Sequence, residues 1–237
     1  MQKNRNMMKK FILLLSLFAS CGLTSIAQSK YEFYVEKRNE LEQSIKKYLT
    51  VKGLELKPGL KMDDALRYFE SKGFSKTEYF DYAKETFNIY DLEGSFFNYS
   101  KCGVKISPLN ENKNIVSMIA IHFPDTDSFK RLKEEYDELK ASLSEKYYLI
   151  RNTESFDDDY VNRSTSDYLK LNALSKNECK FESTFYISEN PYSFLLGQII
   201  LSIATLKVDY HTTYYVSLLY ITSDSALEYT SAKEDDL

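Results

Sequence analysis

The spacing of apolar residues changes from helical to alternating twice along this chain, in the same order each time. No other feature narrows the available folds as much. Phe129, Leu132, Tyr136, Leu139, Leu143 and Tyr147 recur at spacings of three and four, with lysine and glutamate between them. That stripe predicts a long amphipathic helix over 126–147. A shorter helix is predicted over 62–72. Asp63 and Asp64 sit in its first turn, where the helix dipole favours negative charge, and Gly73 supplies its stop. Three strand patterns follow each helix, at 89–99, 102–106 and 115–123 and again at 179–187, 198–206 and 213–222. In the third of these, Ile115, Ile119, Ile121 and Phe123 fall on one face at a period of two.

Two helix–strand–strand–strand units, at 62–123 and 127–222, can join into one antiparallel sheet with the helices packed on one face. This is an α+β layer architecture. No Gly/Pro/Ser-rich linker divides the units, so 28–237 is expected to be a single α+β domain with halves at about 51–124 and 125–237. The remaining elements are smaller. A helix is predicted over 31–49, a short strand closed by Pro58-Gly59 at 51–59, an acidic irregular segment at 154–159, a helix at 167–175 and a terminal helix at 225–236.

The first 27 residues read as an export signal. Lys3, Arg5, Lys9 and Lys10 precede the apolar run from Phe11 to Phe18, and Thr24-Ser25-Ile26-Ala27 offers small residues for cleavage before Gln28. The apolar run is far short of the roughly 20 residues of a spanning helix. The protein is therefore expected in the periplasm or secreted. In the alternative reading, Phe18-Ala19-Ser20-Cys21 is a lipobox and the protein is a lipoprotein anchored through Cys21. The whole chain carries a net charge of −4, but losing those four basic residues leaves 27 against 35 acidic ones, a net of −8. Such a chain repels phosphate, which argues against a nucleic-acid partner.

Several motifs resemble a known family. Gly53-Leu54-Glu55-Leu56-Lys57-Pro58-Gly59 leads to Ala65-Leu66, Phe69 and Lys72-Gly73-Phe74. Leu92, Gly94, Phe96, Tyr99, Cys102, Val104 and Ile106 then form a glycine-containing hairpin pattern, and the strand at 116–123 runs into the Phe129–Tyr147 stripe. In this order the motifs are similar to those of exported Bacteroidetes proteins of unknown function, as are the Cys179 strand and the closing Asp235-Asp236-Leu237. The resemblance implies a fold and an address. It brings no catalytic residue, since that family has no established activity, and Tyr147-Tyr148 departs from its usual helix stop. The paired layout also resembles tandem periplasmic interaction modules of the β-lactamase-inhibitor type, an analogy of fold alone.

Material for catalysis is sparse. There are two histidines and three cysteines. His122 alternates with Ile121 and Phe123 and has no orienting partner nearby in sequence, while His211 lies at a turn. A histidine zinc site is not expected, and Asp157-Asp158-Asp159 lacks the spacing of a calcium loop. No cofactor or metal is expected. Cys102 and Cys179, an even pair in an oxidising compartment, are expected to form a disulfide, the alternative being two buried thiols. The chain holds 20 tyrosines and no tryptophan. In the last hairpin Tyr214, Val216, Leu218 and Tyr220 share one face and Tyr215, Leu219 and Ile221 the other, so Tyr214, Tyr215 and Tyr220 are the candidates for a binding surface. The expected function is a non-catalytic exported module that binds a protein or envelope component. A glycan-associated accessory protein is the alternative, and a hydrolase the third.

Overall fold

The computed structural model of the protein describes residues 31–208 and 211–232. The segment expected to be an export signal, Cys21 and the closing Asp235-Asp236-Leu237 lie outside the described residues. Helix α1 covers residues 31–45 and turns Leu41 and Ile45 toward the core. The 51–59 segment does not run on as one strand. It folds back at Lys52-Gly53 into a small hairpin of β1 (Thr50–Val51) and β2 (Leu54–Glu55). Both turn residues have positive φ, 49° and 91°, as a two-residue hairpin turn with the right twist requires.

The first half continues with α2 (Met62–Ser71), β3 (Ser75–Lys76), α3 (Phe80–Phe87), β4 (Tyr90–Phe96), β5 (Tyr99–Pro108) and β6 (Val116–His122). Met62, Ala65 and Phe69 are the buried stripe of α2, and Phe74 meets Phe69 edge-on at 5.2 Å just after the Gly73 stop. The second half repeats this order with α4 (Phe129–Ser144), β7 (Tyr148–Phe156), α5 (Asp159–Arg163), α6 (Asp167–Ser175), β8 (Cys179–Tyr186), β9 (Gln198–Val208) and β10 (His211–Ile221). A 3-10 turn at Pro191–Leu196 joins β8 to β9, and α7 (Ser223–Ala232) follows β10.

Eight strands form one antiparallel sheet in the order β3-β4-β5-β6-β10-β9-β8-β7. The order reads the same inward from either edge, and the two halves meet where β6 pairs with β10. Each unit thus has a helix, an outer strand, a helical insert and three further strands. The insert is α3 in the first unit and α5 with α6 in the second, and of these elements the sequence pattern predicts neither the outer strands nor α3 and α5. The extra strand β7 falls partly on the segment expected to be irregular. Apart from Phe156 at its end, its positions facing the helices are polar, so apolar alternation does not betray it. Asn152 bonds Ser183 at 2.7 Å, and Glu154 is gripped by Lys133 and Lys140 of α4.

The register separates two faces. One cross-strand row reads Leu92–Val104–Ile121–Leu218–Leu201–Ser183, and the next reads Tyr90–Ile106–Ile119–Tyr220–Ile199–Phe185. These rows lie under the helices, with α2 over β5, α4 over β8 to β10 and α6 over β8 and β9. One hydrophobic core runs through both halves, and Leu132, Tyr136 and Leu139 of α4 belong to it. At the helix–sheet junction the Tyr136 hydroxyl meets the Ser183 hydroxyl at 2.7 Å, so the one phenol driven deepest into the core keeps a partner.

Candidate functional site

The opposite face of the same strands carries no helix among the described residues. Its rows follow from the same register. One reads Asp91–Lys105–Ala120–Leu219–Ile200–Thr184–Arg151, and its neighbour reads Glu93–Gly103–His122–Ser217–Ser202–Glu182–Thr153. Met118 and Ile221 lie across from each other on one side of these rows, and Tyr215 and Ala204 on the other. Small and apolar residues therefore occupy β6, β10 and β9 in the middle, while charged residues occupy both flanks. Met118 is 36% exposed and the rest of the middle is half-buried. Three strands about 4.8 Å apart and roughly six residues long give an apolar middle of about 300 Å², a size at which bare patches on a monomer are often functional.

The ionisable groups of this face are muted. His122 has its pKa pushed down to about 4 by burial and by the nearby Lys105, so it is neutral near pH 7. Its ring stands 4.9 Å from that of Tyr215, whose own pKa is raised by burial. Burial also raises the Asp91 carboxyl, with Lys105 acting against it. Arg151 pairs with Glu182 at 2.6 Å on the far flank. Between these flanks Thr184 is only 5% exposed, and its hydroxyl oxygen has no hydrogen-bond partner among the described residues. A neutral imidazole, a phenol and an orphan hydroxyl offer hydrogen bonds without a desolvated charge, which suits recognition better than proton transfer.

The three tyrosines are not brought together. Period-two alternation sends Tyr220 into the core and packs Tyr214 against it, leaving Tyr215 on the uncovered face. The expected disulfide is absent, since Cys102 and Cys179 are both free thiols. They sit on β5 and β8, four strand spacings apart in the sheet. That is roughly 19 Å, far beyond the span of one bridge. Burial holds both thiols up to about 11, with the charges of Asp157 and Glu178 adding to the effect at Cys179. Both are protonated at neutral pH and poor nucleophiles.

The sequence reading missed one perturbed group. Glu135 of α4 is only 8% exposed and its carboxyl is pushed up to about 7, first by burial and then by Glu138, with Arg131 pulling the other way. One of its oxygens has no partner. It lies under α4, where its charge is felt by Cys102 and Tyr99 of β5. The signal was its position, three residues after Leu132 and four before Leu139, inside the apolar stripe.

Among the described residues no cluster of three or more histidine, cysteine or acidic side chains is placed to hold a metal ion, and no helix is long and apolar enough to cross a membrane. Compared with models of protein families, with curated proteins and with solved structures, the chain matches none.

Proposed function

We propose that the protein is an exported, non-catalytic binding module that docks a protein partner on the uncovered face of its sheet. One observation carries this reading. Among the described residues, the same eight strands bury one face under helices and leave the other, with its apolar middle and charged flanks, without a helix over it. A partner that presents a protruding apolar segment suits the small residues Ala120, Ser217, Ser202 and Ala204, with polar groups around it to meet Lys105, Glu93, Glu182 and Arg151. About 300 Å² is less than the roughly 800 Å² per partner of a standard interface, so the charged flanks are part of the contact.

A photoreactive phenylalanine analogue placed at Leu219 in the native host tests this. It should yield one discrete protein adduct, and that adduct should disappear when Ala120→Arg is added. The same analogue at Tyr168, exposed on α6, should not form it. No adduct from position 219, or the same adduct from both positions, would sink the reading. Export is tested separately by the mass of the processed chain. A first residue of Gln28 supports it, whereas a lipid-modified Cys21 places the module on a membrane surface instead.

A further inference from the structure

On the helix side of the sheet, a cavity of about 320 Å³ opens between two hairpin tips and the end of α4. The β1–β2 tip contributes Lys52, the β4–β5 tip Phe96 and Phe97, and α4 Leu143 with Lys146 just beyond its end. Tyr220 lies at the base.

Three features mark this cavity. The first is the left-handed backbone that the hairpin turns impose on non-glycine residues at both tips. Lys52 and Phe97 have φ of 49° and 50°, a region in which side chains other than glycine are uncommon and bulky ones rare. Of the other such residues, Lys46, Asn88 and Asn177 close helices and Lys101 sits in a hairpin bulge. Lys52 is held in place. Its backbone carbonyl accepts from the Tyr68 hydroxyl at 3.2 Å, and a Cβ on the following Gly53 would strike that same hydroxyl.

The second feature is charge. Among the described residues no carboxylate pairs with Lys52 or Lys146. The Lys52 ammonium instead lies 5.6 Å and 5.8 Å from the ring centres of Phe74 and Phe96, and it donates to the Ser95 carbonyl at 2.6 Å. The third feature is the Tyr220 hydroxyl. The residue is 3% exposed and lines the cavity, and its hydroxyl makes no hydrogen bond among the described residues without being one of the fully buried polar atoms left unpaired. The neighbouring Tyr147 hydroxyl is already engaged with Thr50. The Tyr220 hydroxyl is therefore left to bond whatever fills the cavity.

We propose that this cavity binds a small organic anion with an apolar ring body. The ring packs against Phe96, Phe97 and Leu143, the anionic group faces Lys52 and Lys146, and an acceptor on the ligand takes the Tyr220 hydroxyl proton in a hydrogen bond. The volume is at the lower end of ligand sites, which admits one or two fused rings and excludes a peptide chain. The site lies on the opposite side of the sheet from the docking face and is independent of it.

Two fluorescent probes of matching shape test the proposal, 8-anilinonaphthalene-1-sulfonate and its uncharged counterpart N-phenyl-1-naphthylamine. Each is titrated into the folded protein, which has no tryptophan to interfere. The sulfonate should bind at least about tenfold more tightly than the neutral probe. Lys146→Glu, at an exposed position, should weaken the sulfonate about tenfold or more and leave the neutral probe unchanged. Ser142→Trp, which fills the cavity from α4, should abolish both. Failure of the wild-type protein to bind the sulfonate, equal affinity for the two probes, or binding that survives in both variants would overturn the proposal. Binding that survives both places the probe elsewhere, such as on the uncovered sheet face.

Discussion

Glu135 makes the stability of this protein depend on pH in an unusual direction. A buried carboxyl is harder to ionise in the folded chain than in the unfolded one, so the folded state holds its proton more tightly. With the carboxyl moved from an ordinary 4.5 to about 7, the stabilisation is fully present below about pH 4.5 and is lost as pH rises toward 7. At about 1.4 kcal/mol per tenfold difference, the full loss is about 3 kcal/mol. Glu135→Gln keeps the shape and removes the titration. Urea unfolding followed by circular dichroism, for both proteins between about pH 4 and about pH 8, isolates the effect. Their stability difference should grow by about 3 kcal/mol in favour of the glutamine variant as pH rises, and level off above about pH 7. His122 titrates in the opposite sense, since its depressed pKa withdraws stability as pH falls below its usual 6.5 toward 4. That contribution is common to both proteins and cancels in the difference. A difference independent of pH would show that Glu135 is solvated, and would remove the buried-carboxylate argument.

Three further outcomes follow from packing and register. Gly94→Ala places a Cβ inside the ring of Phe74, so the variant should lose about 1–3 kcal/mol in urea unfolding; unchanged stability would mean the ring has room to move. Ser183→Ala removes the partner of both Tyr136 and Asn152, and a loss of about 1–3 kcal/mol is expected from leaving buried polar groups unbonded. Removing Asn152 in the same background should then cost little more, because the two side chains share one network. Iodoacetamide added to the folded, unreduced protein near pH 7 should label Cys102 and Cys179 slowly, and both should react fully once the chain is unfolded without reductant. A mass showing the two joined would contradict the strand order.

Much of the architecture was legible in local pattern. The α4 stripe, the α2 stop at Gly73 and the alternation of β6 and β10 each arise because apolar side chains at the helical or strand period have one way to face a common core. Where that rule fails the reading fails. β7 is an edge strand whose inward Asn152 and Glu154 are polar, satisfied by β8 and α4, and α3 is too short to show a repeat. Alternation also sorted the final tyrosines into two sets, but it could not say which set meets solvent.

The sequence alone determined most of the longer elements, the repeat of their order, and the shortage of histidine and cysteine for chemistry, because these depend on neighbours a few residues apart. Tertiary structure decided everything that depends on which strands become neighbours. Pairing β6 with β10 put the two halves back to back, set Cys102 and Cys179 four strands apart, buried Tyr220, and left Tyr215 and His122 on a face without a helix. It also gathered Lys52, Phe97, Lys146 and Tyr220, separated by up to 168 positions in the chain, around one cavity.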